Sequence, residues 1–571
     1  MIKTNNKKMK KYIIYGLAFF VFLNIVSCSD DILDVNPVDS FTDAAVWGDL
    51  SLAEAYLNTS YSQIKAEAEK GSRFASLTYE LYQMHTYGTE NVRQGYLSPD
   101  NSSFGWEDDM WNPWNYFYGC IKDVNLFLEK IDAVPVVNAG DDEWKDALIG
   151  QGHFLRAYFY FQLYSLYGRV PIVSKVYPLE TVEFTEERAS LADVADFIAA
   201  DCDTAAALLP LVYESADNFG RATKGAALTL KGRTLMFAAS PLYDENYPDQ
   251  AKWQKAAAAN KAVIDLDVYS LQQVANSDEY AALFLDAQNP EIIFEKLYDS
   301  KWVVGSNNVF LHQAPCGTGN GFEGWGTLQP SHNLVSKFQM NDGTEYTPGP
   351  ETEYPWANRD LRLYADVFLD GDMWGYGDSN REIEFFVAGE SGVEQGKDSR
   401  EGPSWWNATQ TGYGLKKFLD PDFDNYGTDA NTTPWIYMRL SEVYLNYAEC
   451  LIELGDYPNA LIYINLVRER ALMPPATGND IRAEYEYERQ IELLFEGQRW
   501  FDIRRWKKAD EIYEQPLLGI DIKKFSDGSK TYTVKPDPVE TRSFNAPKNY
   551  WMPVPRSELR KAPNLDAAPY E

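Results

Sequence analysis

The clearest pattern in the chain is an apolar stripe with helical spacing in the segment that begins at Arg439. Tyr444, Ala448 and Leu451 recur at the intervals that one face of an α-helix requires. Gly455 interrupts the stripe, because glycine accepts the positive φ that follows a helix C-terminus. A second stripe follows and ends at a pair of prolines. The spacing predicts two antiparallel helices of the tetratricopeptide type.

A third helix is predicted from the run YERQIELLFEGQRWFDIRRW, whose apolar residues fall on one face. Its charged residues are of both signs and stand three or four positions apart, which brings opposite charges together on a helix. They are Arg489, Glu492, Glu496, Arg499 and Asp502. One interpretation is a catalytic carboxylate pair. The interpretation that we favour is a partly buried network of ion pairs that fixes the orientation of the helix.

Helical periodicity also dominates the first half of the chain. Amphipathic helices are predicted at residues 44–68, 74–86, 116–131, 144–167, 191–209, 223–239 and 252–265. The last four are joined by short turns, which favours further pairs of the tetratricopeptide-like kind. The predicted fold class is therefore mainly α: a scaffold of helix pairs, plus an irregular, loop-rich region with few short strands.

Two long stretches lack this periodicity and are rich in aromatic residues. Residues 87–115 are polar, punctuated by glycine and proline, and carry several tryptophans. Residues 280–435 alternate short apolar runs with clusters of Gly, Pro, Asn and Asp, which predicts an irregular insert with few strands. Because long loops on a rigid scaffold often carry function, we interpret the two stretches as two sides of one recognition surface.

The candidate ligand-binding residues come from these two stretches. Amides and charged groups bind pairs of hydroxyls, while a tryptophan covers the apolar face of a sugar ring. The candidates are Glu90, Asn91, Arg93, Tyr96, Trp106, Trp111, Trp114 and Asn115 in the first stretch, and Asn320, Phe322 and Trp325 in the second. For Trp111 and Trp114, which lie beside a predicted helix start, packing onto the scaffold is an equally good interpretation.

The N-terminus has the features of a secretory signal. A cluster of lysines at positions 7–11 precedes an apolar run from Tyr12 to Val26. This run is shorter than the ~20 apolar residues that a membrane-spanning helix needs. It ends Ile-Val-Ser-Cys, which resembles the lipobox of bacterial lipoproteins, so residues 1–27 are predicted to be removed and Cys28 to be acylated. The acidic residues after Cys28 resemble a tag for surface export. An ordinary signal peptide is the alternative.

The amino-acid composition argues against one class of ligand and favours another. Among 571 residues, 85 acids against 52 bases give a formal net charge of −33. Such a charge repels phosphate backbones and anionic bilayers, which argues against nucleic-acid binding. Aromatic residues make up 15% of the chain, with 16 Trp and 38 Tyr, an excess that suits the stacking of sugar rings on flat side chains.

No cofactor is predicted. The four histidines lie far apart and do not cluster with cysteines, so the sequence gives no support for a transition-metal site. Alternate carboxylates at Asp420, Asp422 and Asp424 are typical of calcium loops, but Asn425 and Asn431 stand where such a loop needs Gly and Glu. A surface turn is the favoured interpretation, with calcium as the alternative.

Several longer motifs together resemble one known family. They are CSDDILDVNP after the signal, FLRAYFYFQLYSLYGRVPIV and ATKGAALTLKGRTLMFAASPLY in the first half, and RLSEVYLNYAEC, NLVRERA, ERQIELLFEGQRWFDIRRW and YWMPVPRSEL in the second. In this order they resemble the SusD/RagB family of Bacteroidetes outer-membrane lipoproteins. The resemblance implies a surface protein that captures a nutrient, usually a glycan, and works with a SusC-like TonB-dependent transporter.

The resemblance also implies how the chain is divided. A helical N-terminal region is expected at residues 28–275, with the aromatic loop at 87–115, and a C-terminal region at 276–571. The latter would contain the irregular insert at 280–435, the helical block at 439–506 and an ordered tail. Members of the family draw ligand contacts from the same two aromatic parts of the chain.

The function predicted from these features is capture without catalysis. A lipid-anchored protein on the outer membrane, facing the cell exterior, binds an oligosaccharide or polysaccharide and delivers it to the transporter. Two alternatives stay open at this point. One is a secreted glycoside hydrolase with its acid and base on the same loops, which the abundance of carboxylates neither supports nor opposes. The other is a surface adhesion or scaffold protein that binds another protein through its helix pairs.

Overall fold

The computed structural model describes residues 43–65, 73–85, 88–103, 112–178, 184–298, 313–314, 324–375, 380–422 and 431–570. Helices dominate these residues, and the strands are few and short, so the predicted fold class is confirmed. None of the described helices combines the length and the apolar character that crossing a membrane requires.

The N-terminal helices pack in consecutive layers. Their bounds are α1 Asp43–Val46, α2 Leu50–Ser62, α3 Arg73–Ser76, α4 Glu90–Arg93, α5 Pro113–Lys130, α6 Asp141–Tyr167, α7 Leu191–Leu208, α8 Lys224–Ala239 and α9 Gln250–Ile264. Helix α6 packs against both α5 and α7, α7 packs against α8, and α8 packs against α9. Most of α6 is buried, which fits its place inside this stack of helix pairs.

Local sequence sets where several of these helices begin. Ser190, Thr223 and Asp249 lie just before α7, α8 and α9, and the side-chain oxygen of each accepts a hydrogen bond from a backbone N–H of the first turn. Such caps satisfy N–H groups that have no partner within the helix. The predicted starts of these three helices are confirmed to within about two residues.

The second half combines short strands with further helices. The helices are α10 Ser277–Ala282, α11 His332–Val335, α12 Leu361–Asp366, α13 Leu440–Glu453, α14 Tyr457–Arg470, α15 Ile481–Glu492, α16 Arg499–Arg505, α17 Ala509–Tyr513 and α18 Arg556–Lys561. The strands of the whole described chain are β1 Leu81–Gln83, β2 Ile292–Lys296, β3 Leu328–Pro330, β4 Val367–Phe368, β5 Met373–Trp374, β6 Arg381–Glu382, β7 Val387–Ala388, β8 Gly414–Leu415, β9 Trp435–Arg439, β10 Ile520–Lys524 and β11 Lys530–Val534.

These strands form several small sheets and no large one within the described residues. Antiparallel pairs join β1 with β3, β2 with β9, β4 with β8 and β5 with β6. Strand β10 pairs antiparallel with β11 and parallel with β7. Strand β2 lies on one of the short apolar runs of the predicted insert, and the predicted helix pair after Arg439 is confirmed by α13 and α14.

The largest hydrophobic core joins the two halves of the chain. Buried residues of α5 to α9 share one cluster with Leu440, Trp500 and Met552. The tail packs back onto the helices, as expected, and the N–H of Met552 donates to the carbonyl of Leu166 at 2.8 Å. The division of the chain near residue 275 stays a prediction, since this core extends across it.

The helix predicted at residues 74–86 is wrong. Helix α3 covers one turn of it, and the chain then becomes strand β1, which pairs with β3 far away in sequence. Periodicity within the segment did not reveal this partner, because strand pairing depends on residues about 250 positions later. The helix predicted at residues 44–68 is likewise divided into α1 and α2.

The third helix of the 439–506 block is not continuous either. It divides into α15 and α16, and between them Phe495 and Gly497 adopt φ angles of +64° and +78°. A left-handed residue cannot continue a right-handed helix, so the chain turns here. The charged ladder therefore does not lie on one helix. Arg489 of α15 pairs with Asp502 of α16 across the turn, whereas Glu492 and Glu496 pair with other elements.

A network of buried ion pairs joins those elements. Glu492, at the end of α15, accepts hydrogen bonds from Arg439 in β9, Arg470 at the end of α14 and Arg362 in α12. The Arg439 Nη1 to Glu492 Oε1 distance is 2.6 Å. Glu291, which precedes β2, accepts from both Arg439 and Arg470 at 2.8 Å. The interpretation as an ion network is thus confirmed, with partners that come from distant segments.

The arginines keep Glu492 charged despite its burial. Burial alone would raise the pKa of this carboxyl, since a carboxylate is poorly solvated inside a protein. Arg470, Arg439 and Arg362 outweigh burial and hold the pKa of Glu492 below its ordinary value. Glu492 is inaccessible to solvent, so it has a structural role and does not meet a substrate.

Replacing Glu492 with glutamine should destabilise the protein strongly. The substitution removes the negative charge while three arginines stay buried beside it, and breaking a buried pair in this way costs about 3–5 kcal/mol. The measurement is the free energy of unfolding from urea denaturation followed by circular dichroism. Asp203→Asn is the control, because Asp203 pairs with Lys231 near the surface, where an ion pair contributes about 0–1 kcal/mol. Equal losses in the two variants would contradict the role assigned to Glu492.

Candidate functional site

Strands β1 and β3 bring the segment just before the first aromatic stretch next to the second stretch. Their register pairs Gln83 with Leu328. The backbone N–H of Met84 then donates to the carbonyl of Thr327 at 2.8 Å, which extends the contact beyond the strands. Two parts of the chain that are distant in sequence are therefore side by side at this edge of the fold.

An imidazole and an indole meet just beyond this strand pair. The ring centroids of His85 and Trp325 lie 6.3 Å apart in an edge-to-face arrangement. Nε2 of His85 also lies 3.1 Å from Oδ1 of Asn407, within hydrogen-bond distance. Three segments of the chain consequently meet at His85, and one of them carries the candidate Trp325.

Next to this contact, a single 3₁₀ turn presents two tryptophans to solvent. Trp405 is 62% and Trp406 is 49% exposed, and their rings meet edge to face with centroids 6.1 Å apart. The N–H of Asn407 donates to the carbonyl of Ser404 at 3.0 Å and closes the turn. Two adjacent exposed indoles leave a large apolar area in water, which is typical of a binding surface. We refer to these neighbouring residues as the tryptophan surface: His85, Trp325, Trp405, Trp406 and Asn407.

A buried glutamine attaches this turn to strand β3. Nε2 of Gln329 donates to the carbonyl of Gly326 at 2.8 Å, and its Oε1 accepts from the N–H of Gln410 at 2.6 Å. The backbone at Gly326 has a φ of +50°, and a Cβ there would lie 2.5 Å from the carbonyl oxygen of Asn407. Glycine is needed at this position both for the backbone conformation and for the close approach of the turn.

The candidates Glu90, Asn91 and Tyr96 lie on a short segment that packs against the C-terminal tail. Glu90 and Tyr96 are exposed. Nδ2 of Asn91 donates to Oδ1 of Asn101 at 2.9 Å, which draws the two ends of the segment together. Nε2 of Gln94 donates to a carbonyl of the tail at 2.9 Å. The segment is held in place while two of its candidate side chains stay accessible.

Two other candidates contribute to the scaffold. Arg93 is buried, and its guanidinium pairs with Glu540 of the tail. Trp114 is buried too, with its ring centroid 5.1 Å from those of Tyr118 and Tyr167. For Trp114 the structure favours packing, the alternative that the sequence left open. Arg93 has a structural partner that the sequence did not indicate. Contact of either residue with a ligand stays a prediction.

Trp114 and Asn115 also border a cavity of about 480 Å³. It lies between the start of α5, the segment after α6 and helix α18, and its lining includes Trp114, Asn115, Tyr118, Tyr177, Glu186 and Lys561. Lys175 lies over the ring of Tyr177, with Nζ 4.9 Å from the centroid. The volume falls within the roughly 300–1,000 Å³ of small-ligand sites. This cavity shares no residue with the tryptophan surface, so these two candidates do not meet Trp325.

The remaining candidates lie outside the described residues. They are Trp106, Trp111, Asn320 and Phe322, and the acylation site Cys28 lies outside as well. Their places in the structure stay predictions, and so does the merging of the two aromatic stretches into one continuous surface.

The described residues contain no group of three or more His, Cys, Asp or Glu side chains placed to hold a metal ion. In the segment considered as a calcium loop, Oδ1 of Asp420 accepts a hydrogen bond from the N–H of Asp422 at 2.9 Å, which is the geometry of a turn. Asp424 and Asn425 lie outside the described residues, so the calcium alternative is not decided.

The sequence-based list of candidates missed most of the tryptophan surface. Trp405, Trp406 and Asn407 lie in the aromatic insert at 280–435 but are not among the predicted ligand-binding residues, and neither is His85. A usable signal was the Trp-Trp dipeptide after Gly402 and Pro403. A short turn in a Gly/Pro-rich loop rarely buries two neighbouring indoles at once.

Comparison with known proteins decides the family. Residues 290–570 match the model of the SusD family, and residues 89–236 match a SusD-like model described as starch-binding and associating with the outer membrane. The chain belongs to the SusD/RagB family. The resemblance found in the sequence is thereby confirmed. This SusD/RagB protein is a member of a family of carbohydrate-binding proteins that associate with the outer membrane.

Individual relatives agree with this assignment. A curated SusD-like protein of Formosa agariphila is 24% identical over 544 residues, which are 90% of this chain and 95% of the relative. The crystal structure of a SusD-like protein from Bacteroides fragilis is 27% identical with a TM-score of 0.76, and the match covers 93% of this chain and 99% of that one. A SusD-like carbohydrate binding protein from the same organism has the same fold, with 24% identity, a TM-score of 0.73 and coverage of 91% and 100%.

Substituting Gly326 with alanine should destabilise this SusD/RagB protein more than substituting Gly455. Both glycines have a positive φ, so each variant carries the strain of a left-handed alanine, roughly 1–2 kcal/mol. Around Gly455 nothing lies within 4 Å of the added methyl, whereas at Gly326 the methyl meets the Asn407 carbonyl. We expect a further loss of about 1–3 kcal/mol for Gly326→Ala, the range for overpacking, in urea denaturation.

The same pair of variants also tests the position of the turn. Iodide quenches the fluorescence of exposed tryptophans, and Gly326→Ala should change this quenching because it displaces the turn that carries Trp405 and Trp406. Gly455→Ala should leave the quenching as in the wild type. Equal stability losses with unchanged quenching in both variants would show that the turn does not depend on Gly326.

Proposed function

We propose that this protein captures an oligosaccharide or polysaccharide on its tryptophan surface without changing it chemically. The observation that carries the proposal is the exposed, adjacent pair Trp405 and Trp406. Flat indole faces cover the apolar face of a sugar ring, and the polar edges of His85 and Asn407 beside them suit its hydroxyls. Affinity then comes from stacking and hydrogen bonds, and no covalent step is needed.

The contacts that hold the turn of Trp405 and Trp406 in place support a binding role. Gln329 and Gly326 fix the turn to β3 through buried hydrogen bonds and a close backbone contact. A turn that is already held rigidly loses less conformational entropy when a ligand binds. The candidates Trp106, Trp111, Asn320 and Phe322, with Asn91 and the exposed Glu90 and Tyr96, are proposed to extend the surface for a longer chain of sugars.

The proposed destination of the ligand is a SusC-like TonB-dependent transporter. The family is described as associating with the outer membrane, and acylation of Cys28 would anchor the protein there. Each buried methylene of a lipid chain contributes roughly 0.8 kcal/mol, so more than one chain gives a stable anchor. The protein would then hold its ligand at the cell exterior, above the transporter.

The hydrolase alternative gains no support from the carboxyls with perturbed pKa values in the scaffold. Burial raises the pKa of Glu80 and of Asp366 to about 7, a value that would suit a general acid. Both side chains, however, are fully buried, and a glycosidase needs its two carboxyls on either side of an accessible bond. The adhesion or scaffold alternative has no specific observation in its favour among the described residues.

Removing either exposed indole should weaken glycan binding. A glycan array first identifies the ligand of the wild type, and isothermal titration calorimetry then compares the variants. Trp405→Ala and Trp406→Ala should each lose about 1–3 kcal/mol of binding free energy, by analogy with bases stacked on aromatic side chains. Tyr457→Ala is the matched control, because Tyr457 is also an exposed aromatic but lies at the start of α14, and it should bind as the wild type does.

Wild-type affinity in both tryptophan variants would place the glycan elsewhere. Trp106→Ala, Trp111→Ala, Trp114→Ala and Trp325→Ala then report which of the other candidates contributes. Release of shorter products from the bound glycan, abolished by a single carboxyl substitution, would support the hydrolase instead.

Substituting Cys28 with serine should detach the protein from the outer membrane. Serine has no thiol for acylation, so the variant should move from the membrane fraction to the soluble fraction. The wild type, solubilised in mild detergent, should copurify with a TonB-dependent transporter. Cys120→Ser is the control, since Cys120 is a buried free thiol of the scaffold, and this variant should stay in the membrane fraction. Retention of Cys28→Ser on the membrane would contradict the lipid anchor.

A further inference from the structure

Glu295 is a buried acid, and one of its carboxyl oxygens is unpaired within the described part of the chain. It lies in β2, where the pairing with β9 shifts its register between Phe294 and Glu295, and such irregularities redirect side chains. The residue is 5% exposed, and its Oε2 has no hydrogen-bond partner among the residues that the structure describes. An unpaired buried carboxyl is costly, so it requires an explanation.

The carboxyl lines a cavity that is otherwise mostly apolar. The cavity has a volume of about 190 Å³, and Tyr213, Phe219, Tyr269 and Phe294 supply aromatic walls around Glu295. At its mouth Leu211, Val212 and Phe219 are 45%, 64% and 45% exposed. The volume lies below the roughly 300–1,000 Å³ of sites for drug-sized ligands, so the cavity fits a molecule of about one ring.

No cation of the lining is free to pair with Glu295. Arg221 is the one arginine or lysine among the described lining residues. Its guanidinium already donates to Glu54 at 2.6 Å and to Asn218 and Gln151 at 3.0 and 3.1 Å. Burial raises the pKa of Glu295, and the negative charge of another acid, Asp286, raises it further. The cavity therefore lacks a positively charged N–H donor that faces Glu295.

We propose that this cavity binds a small organic ammonium ion. Its nitrogen donates to the carboxylate of Glu295, and its apolar body lies against Tyr213, Phe219 and Tyr269. The charge of the cation is complementary to the carboxylate, and the aromatic walls add an attraction for cations. A neutral alcohol of the same shape fills the same space but gains no charge interaction. The site shares no residue with the tryptophan surface and does not depend on glycan binding.

The test compares two ligands of equal shape on the purified full chain. Cyclohexylammonium chloride and cyclohexanol are titrated by isothermal titration calorimetry at pH 8.5. Cyclohexylammonium should bind at least about ten-fold more tightly than cyclohexanol. Glu295→Gln should remove that difference, and Glu295→Met should do the same. Glu214→Gln removes a charge next to Tyr213 from an exposed position and should keep wild-type binding. Urea denaturation confirms that each variant is folded.

A second readout separates a direct role of Glu295 from an indirect one. Burial and Asp286 raise the pKa of Glu295 to about 8, so the carboxyl must release its proton to pair with the cation. Binding of cyclohexylammonium should therefore tighten between pH 6.5 and 8.5, and Glu295→Gln should abolish this dependence. The other titratable groups around the cavity are Asp286, Arg221, Tyr213 and Tyr269. Burial raises the pKa of both tyrosines, so they stay neutral in this range.

Several outcomes would overturn the proposal. They are equal binding of the amine and the alcohol, unchanged amine binding in Glu295→Gln, and no binding of the amine to the wild type. Loss of amine binding in the Glu214→Gln control would also overturn it, because the effect would then come from general surface charge.

Discussion

The fold depends on a group of charges that lie together out of water. Arg439, Arg470 and Arg362 surround Glu492, and the same arginines also pair with other buried acids, which are Glu291, Glu496, Glu488 and Asp360. Charges leave water at a high free-energy cost, which only close counterions and hydrogen bonds offset. Strand β9 and helices α12, α14 and α15 must therefore be in place together. The network couples the helix pairs to the irregular insert, which has few long strands of its own.

The tryptophan surface is built at the edge of this frame. Strand β1 crosses from the helical half to pair with β3, and the turn that carries Trp405 and Trp406 attaches to β3 through Gln329. Loops of irregular backbone can present exposed indoles in fixed positions when buried polar groups satisfy their N–H and C=O groups. The surface thus combines exposed side chains with a buried, hydrogen-bonded base.

The sequence predicts the candidate site as segments, and the structure shows which of their described residues are exposed. The sequence predicted two aromatic stretches as the sides of one surface, and the structure brings His85, two residues before the first stretch, against Trp325 of the second. The exposure of individual residues was not predicted. Arg93 and Trp114, which are candidates, are buried, while Trp405 and Trp406, which are not, are exposed. Composition tells which residue types are suited to a ligand. It does not tell which of them the scaffold uses for packing, because burial is set by neighbours distant in sequence.

The sequence by itself determined the helix pairs, the family and the acidic, aromatic character of the chain. Apolar spacing, capping residues such as Ser190 and Thr223, and the glycine at 455 act over a few residues, so they can be read locally. The tertiary structure alone decided that residues 81–83 form a strand, that the helix after Ile481 ends at Glu492, and which arginines meet that carboxylate. These features are pairings between segments up to several hundred residues apart, and local periodicity carries no information about such partners.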